Sequence, residues 1–425
     1  MSVKKNVPEI RFKGFSGEWV EQELGAVAEI KTGPFGSTLH AKAYVEDGHA
    51  IITTEHFKSG ELPVEKKGIP QVSDVDYLRL KAYLLNVGDI VFSRVGSVDI
   101  NAHITDKQEG WLFSGRVLRV RSNNSIVSEY LHHELSTSRV KKSVVSRAVG
   151  QTMPSINTEI LKITPIHFPV DTGEQTAIGK TFQKLDSLIN QHQQKHDKLS
   201  NIKKAMLEKM FPKQGETIPE IRFKGFSGEW QEISLLDSIE RIIDFRGRTP
   251  KKLGLDWSPS GYRALSALNV KQGYIDFSID PHFGDQELYD KWMNGSELHQ
   301  GQVLFTTEAP MGNVAQVPNA DKYILSQRTI AFVVKPEVIT EDFLAVLFRS
   351  FKVFRELSAL SSGGTAKGVS QKVLSNLNVL IPTDLDEQTV IGNYFQKLDA
   401  LITQHQQQIT KLNNIKQACL SKMFV

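Results

Sequence analysis

The sequence predicts an α+β (mixed α/β) fold, with two globular regions joined by two long antiparallel coiled-coil helices and a pseudo-twofold internal repeat. Three observations predict it. Twelve residues occur twice without change, PEIRFKGFSGEW at Pro8–Trp19 and again at Pro219–Trp230. A longer segment also recurs: Glu174–Phe211 and Glu387–Phe424 share 26 of 38 residues at a shift of 213. Both copies of that segment lack proline and carry apolar residues at heptad spacing. A long fixed period marks one structural unit written twice, and an apolar heptad stripe on a helix calls for a partner helix.

The boundaries follow from the repeat. Residues 1–173 form a first globular region and 174–217 a first framework helix with its linker. Residues 218–386 form a second globular region and 387–425 a second framework helix. Between the conserved pieces the two inserts differ in sequence but keep a faint common skeleton. Asn86–Phe92 faces His299–Phe305, Ser114–Arg116 faces Ser326–Arg328, and Pro169 faces Pro382. Drift alone erodes framework and insert alike. A constant framework with divergent inserts therefore implies one kind of task performed on two different targets.

Each insert carries short β-rich runs, Asp89–Phe92 and Arg116–Val120 in the first and Val303–Thr307 and Thr329–Val334 in the second. Helical patches follow at Ser128–Ser138 and Glu341–Ser358, and polar, glycine-rich loops lie between the runs. This pattern describes a mixed α/β globule that carries its function on loops. Arg116 and Arg328 are expected at matching positions within strands, where a structural ion pair is at least as well supported as a nucleic-acid contact, and they are not counted among the candidate readers.

The helices are expected to pair through Leu185, Leu188, Leu199, Ile202 and Met206 in the first copy. In the second copy the expected seam reads Leu398, Leu401, His405, Gln408, Leu412, Ile415 and Cys419. At 1.5 Å per residue such a helix is roughly 55 Å long. His192 and His196 have the spacing of a helical zinc pair, but the second copy has Ile409 in place of His196. A polar seam position that sets register explains them, and no metal site is expected.

Composition narrows the function classes. The net charge is only +3. Lys+Arg number 17 against 18 Asp+Glu in 20–173, and 16 against 19 in 231–386, so the positive excess lies in the framework. Any polyanion contact by the inserts must come from local clusters. One cysteine, Cys419, excludes a disulfide framework. The start MSVKKNVPEI has no apolar run behind its lysines, and no stretch is apolar enough to span a bilayer. A soluble, cytoplasmic protein with no membrane contact is expected. GEQTAIGKT at Gly173–Thr181 imitates a phosphate-binding loop, but its glycine spacing is one residue too long and the second copy has Asn393 and Tyr394 for Lys180 and Thr181. No proline pair, and so no N-P-P-[FY] motif, occurs, nor a nucleophile elbow. No catalytic residue is expected.

The candidate reading loops are paired between the inserts. Lys31–Lys42 offers Lys31, Thr32, Ser37, Thr38, His40 and Lys42, and its counterpart offers Arg246, Arg248, Thr249, Lys251 and Lys252. Thr54, His56 and Lys58 face Asn269 and Lys271, and Arg147 and Gln151 face Lys367. Arg and Lys donate to guanine edges, Asn and Gln bond adenine twice, and small hydroxyls hold phosphates. These loops suit double-stranded DNA.

The repeated PEIRFKGFSGEW, the GDIVF segment and the repeated EQTAIGKTFQKLDSLINQHQQKHDKL resemble the specificity subunits of type I restriction–modification systems. The resemblance spans the whole chain. It implies two target recognition domains, each reading one half of a split DNA sequence, and helices that set the gap and dock two methyltransferase subunits. It also implies restriction/translocase subunits as partners. Their S-adenosylmethionine, ATP and magnesium would be bound on those partners and not on this chain, which would itself be non-catalytic within an adenine-N6 methyltransferase and ATP-dependent endonuclease. A specificity module for a stand-alone DNA methyltransferase, or a helical scaffold that does not touch DNA, stays open at this point.

Overall fold

The structure is a computed structural model that describes residues 6–34, 39, 44–361 and 368–425. The chain divides into two compact units, residues up to His192 together with Gln408–Val425, and Gln193–Gln407. The two long helices, Thr172–Lys209 and Leu385–Lys422, each contribute one stretch to either unit.

Both units repeat one plan. In the first, an antiparallel sheet runs in the order Ala28–Thr32, Val117–Ser122, Ile90–Ser93, Asn101–His103. In the second, the order is Ile239–Asp244, Thr329–Val334, Val303–Thr306, Val314–Gln316. Ile90–Ser93 and Val303–Thr306 are buried at every residue, which is why they read as continuous apolar runs without alternation. A smaller sheet flanks each. It contains one parallel pair, Ile51 and Ile52 on Leu112 and Phe113 in the first unit, and Arg263–Leu265 on Tyr323–Leu325 in the second. A two-stranded ribbon closes each unit, with Val20 opposite Phe168 and Gln231 opposite Ile381.

The repeated dodecamer folds around one arginine. Arg11 donates two hydrogen bonds to the Glu174 carboxylate at 2.7 Å each and two more to the carbonyls of Gly17 and Ser16. In the second unit Arg222 does the same to Glu387, Gly228 and Ser227. Both carboxylates are almost completely buried. Gly17 and Gly228 have positive φ, a turn that lets two carbonyls face the guanidinium. Trp19 and Trp230 end the dodecamers inside the cores, edge-on to Tyr130 and Phe343.

The next framework residues serve packing too. Gln175 accepts from the Val127 amide and donates to the Pro169 carbonyl, and Gln388 makes the same bonds to Thr340 and Pro382. Gly179 and Gly392 lie where the helices Ser128–Glu134 and Glu341–Leu347 press on the long helices. A Cβ there would sit 2.8 Å from Glu129 Cβ and 2.5 Å from Asp342 Cβ. The glycine of the imitation phosphate loop is thus a helix-contact residue.

Within the first unit the helix stretches are antiparallel, since Phe182 meets Phe424 while Asp186 pairs with Lys416. In the second unit the corresponding ion pair joins Lys203 and Asp399. The seam differs in part from the expected one. Leu185, Leu188, Leu199, Ile202, Met206 and Leu412 are half-buried and Leu398 is buried, but Leu401 and Ile415 are 43% and 39% exposed. Burial follows Leu398, Ile402, His405, Ile409, Leu412, Lys416 and Cys419 instead. Apolar residues at adjacent positions such as Leu401 and Ile402 fit two heptad frames, and the spacing alone does not choose between them.

One further expectation changes. The helical patches are each broken in two, Ser128–Glu134 then Ser138–Arg147, and Glu341–Leu347 then Phe351–Leu360. The breaks come where Thr137 and Ser350 hydroxyls donate to the carbonyls of Glu134 and Leu347, taking over helix-end acceptors. Among the described residues no helix is long and apolar enough to cross a membrane.

Two substitutions test this framework. Arg222→Ala strands a buried carboxylate and is expected to cost about 3–5 kcal/mol. Gly392→Val forces the Asp342 backbone away, at about 1–3 kcal/mol. Both are read as lowered midpoints in denaturant unfolding of the full chain, whereas Lys251→Ala on the surface leaves the midpoint in place.

Candidate nucleic-acid interface

Three loops converge on a concavity in each unit. In the first, they follow the strand Ala28–Thr32, follow His49–Ile52, and form the turn Ser114–Gly115–Arg116. With Arg94, Val95 and Ser155 they enclose about 690 Å³. In the second, Thr249–Lys251, Ser266–Leu268 and Ser326–Gln327–Arg328 enclose about 430 Å³ together with Trp257, Asp280 and His282. The loops correspond one to one under the internal repeat.

Backbone contacts fix the turns. Arg94 N–H donates to the Arg116 carbonyl at 3.0 Å and Thr307 N–H to the Arg328 carbonyl at 2.8 Å. Gly33 abuts the first turn so closely that a Cβ would lie 2.1 Å from the Ser114 carbonyl oxygen. Arg328 holds φ at +64, a conformation that costs a non-glycine residue energy and that concentrates at functional sites. Arg116 and Arg328 are both exposed turn residues and not strand residues. Among the described residues neither guanidinium has an ion-pair or hydrogen-bond partner. The expected strand placement is corrected accordingly: each arginine precedes its strand and is exposed. The paired SGR and SQR triplets mark the two positions as equivalent but do not place them in turn or strand.

The sequence-predicted residues divide into three groups. Ser37, Thr38, His40, Lys42 and Lys367 lie outside the described residues. A second group is committed to holding the loops. Asn269 is fully buried, accepting from Ser266 N–H and donating to the Ala264 carbonyl, so its amide is not presented to a base edge. Arg248 donates to the Trp292 carbonyl and lies 4.3 Å from the Phe245 ring centre. Lys31 donates to the Ala82 carbonyl at 2.9 Å over the Tyr83 ring. His56 Nδ1 accepts from Thr53 N–H, and burial pushes its imidazole pKa down. Thr249 caps the turn at Lys252, and Thr32 keeps its hydroxyl buried. Turn chemistry and recognition chemistry use the same residue types, so composition alone does not separate them.

The third group reaches the surface. Thr54 lines the first concavity, Lys58 joins it in lining a neighbouring one, and Lys251 lines the second. Lys58 pairs with Glu55, and that hydrogen bond, with the charges of His56 and Arg116 nearby, holds the Glu55 carboxyl below its usual range. Arg246 is paired with Asp244, and Lys252 donates to the Gly247 carbonyl. Arg147 and Gln151 are exposed just before Met153 and Ser155, which line the concavities. Lys271 is half-buried beyond the second lining. An exposed, unpaired arginine in a polar concavity is equipped to donate two parallel hydrogen bonds to a planar acceptor pair.

The chain is 23% identical over 401 residues to the MjaX specificity subunit assigned to a type I restriction enzyme of Methanocaldococcus jannaschii, covering 91% of this chain and 88% of that one. It is 24% identical over 332 residues to the type I restriction enzyme MjaVIII specificity subunit of the same organism, covering 76% and 75%. The crystal structure of a type I restriction-modification system S subunit from M. genitalium shares the fold, with a TM-score of 0.64 over 99% of both chains at 13% identity. The family model for the type I restriction modification DNA specificity domain matches twice, at residues 16–201 and 228–414, and the chain belongs to that family.

Proposed function

We propose that this chain is the DNA-sequence-specificity subunit of a type I restriction–modification complex. Each unit reads one half of a bipartite target in double-stranded DNA, and the helix pair sets the gap and docks two methyltransferase subunits. The observation that carries the reading is the repetition itself. Two nearly identical frameworks present the same three loops, with Arg116 and Arg328 at matching turns, while the loop sequences differ. Major-groove edges distinguish all four base pairs, and arginine to guanine O6/N7 is the commonest specific contact.

The inserts' near-neutral charge supports a division of labour in which partner subunits supply much of the phosphate contact. The chain reads and positions. S-adenosylmethionine would be bound by the methyltransferase subunits, and ATP and magnesium by restriction/translocase subunits. The assembled complex would methylate adenine N6 and cleave DNA.

Genome-wide mapping of methylated adenine in cells carrying the complex tests the reading. Replacing residues 20–173 with a different insert is expected to change one half of the methylated motif and leave the other intact. Loss of all methylation dependence on this chain, with the complex still assembled, would support a scaffold that does not touch DNA.

Two finer outcomes are expected. Arg116→Ala and Arg328→Ala each weaken binding of the complex to its own site by about 1–3 kcal/mol and relax readout in one half-site only, measured by competition with half-site variants. Lengthening both long helices by one heptad adds about 10 Å and is expected to widen the tolerated gap by about three base pairs, with both half-sequences retained.

A further inference from the structure

The first unit contains a group of side chains that the recognition reading does not use. His132 and His133, on the helix Ser128–Glu134, face Asp186 on the long helix, and their ligand atoms lie within 4.8 Å of one another. His133 is 1% exposed, packs at 4.8 Å on the Phe182 ring and, among the described residues, has no hydrogen-bond partner at either ring nitrogen. A buried imidazole with both nitrogens unsatisfied calls for an explanation, of which an ion is one.

The orientation of His132 gives a second, independent indication. Asn101 donates through Nδ2 to Ser136 Oγ, so its Oδ1 faces His132 Nδ1 at 2.6 Å as an acceptor. His132 therefore carries its proton on Nδ1 and a lone pair on Nε2. This is the outer-sphere arrangement that fixes the tautomer of a metal-binding histidine.

The second unit supplies an internal control. There the framework carboxylate Asp399 is held by Lys203 on Oδ1 and by the Arg349 guanidinium on Oδ2. In the first unit Lys416 takes Oδ1 of Asp186 in the same way, but the position of Arg349 is occupied by Ser136. The residues in place of His132 and His133 are Ala345 and Val346. One unit thus has a second cation on the carboxylate and two small apolar residues. The other lacks that cation and has two histidines.

We propose that His132, His133 and Asp186 bind a late first-row divalent cation, zinc being the probe of choice, which stands where Arg349 stands in the second unit. Two imidazole nitrogens and one carboxylate oxygen suit zinc, with water completing a four-coordinate shell. Lys416 and Glu61 are the charged neighbours of Asp186. The ion would pin the insert to the framework helix and would perform no chemistry. This site lies apart from His192 and His196, the pair that the sequence alone draws attention to.

The test uses the full chain without a tag, stripped with chelator and then loaded with zinc or cobalt(II). Wild type is expected to retain about one equivalent of zinc after desalting, to show the intense visible absorption of four-coordinate cobalt, and to melt at a higher temperature with zinc than with chelator. His132→Ala combined with His133→Val, the residues of the second unit, is expected to lose all three properties. Should that variant fail to fold, Asp186→Asn carries the test, since Asp186 is one-third exposed on the helix surface. Wild type retaining no more zinc than these variants, or a cobalt complex with only the weak absorption of octahedral hydrate, overturns the proposal.

Discussion

The buried arginine–glutamate clamp is the constraint on which the rest of each unit depends. It ties the dodecamer to the first turn of a long helix, and the other framework features take their positions from that turn. The tryptophan closing the dodecamer enters the core, the adjacent glutamine anchors the loop before the short helix, and a glycine one turn later admits that helix to close contact. A buried pair of this kind is poor evidence for net stability against an apolar alternative, yet it is intolerant of losing one member. That asymmetry accounts for a stretch of twelve residues kept identical where a packed apolar contact tolerates substitution.

Divergence is confined to what the clamp does not touch. The strand order and the placement of three loops persist in both units although the inserts have little sequence in common. What persists is backbone: an amide at residue 94 or 307 holding the carbonyl of an arginine turn. Side chains around these turns are then free to change without disturbing the scaffold, which is the division between rigid frame and variable loop that recognition proteins share.

The repeat, both long helices and the main strands were legible in the sequence because each rests on a local pattern: identity at fixed shift, absence of proline, and buried apolar runs. The candidate interface was legible only in outline. The loops carrying Thr54, Lys58 and Lys251 do line concavities, but Asn269 has the polarity of a reader and the burial of a brace. Whether an amide serves its own loop or a partner depends on which backbone groups the turn leaves unsatisfied, and that is a three-dimensional property. Arg116 and Arg328 read as strand residues for the converse reason, since a turn one residue before a strand is indistinguishable from the strand's first residue in a pattern of two or three apolar positions.

The tails of the long helices have a consequence for biosynthesis. Met210 and Phe211, at the end of the first helix, belong to the core that also holds Trp230 and Phe343. Met423 and Phe424, at the end of the second, belong to the core that holds Trp19 and Tyr130. The ribosome therefore delivers every residue of the second unit, 193–407, before the stretch that completes the first. The earlier-made half must wait with an aromatic vacancy while the later-made half closes, so the nascent chain matures in the reverse of its reading order.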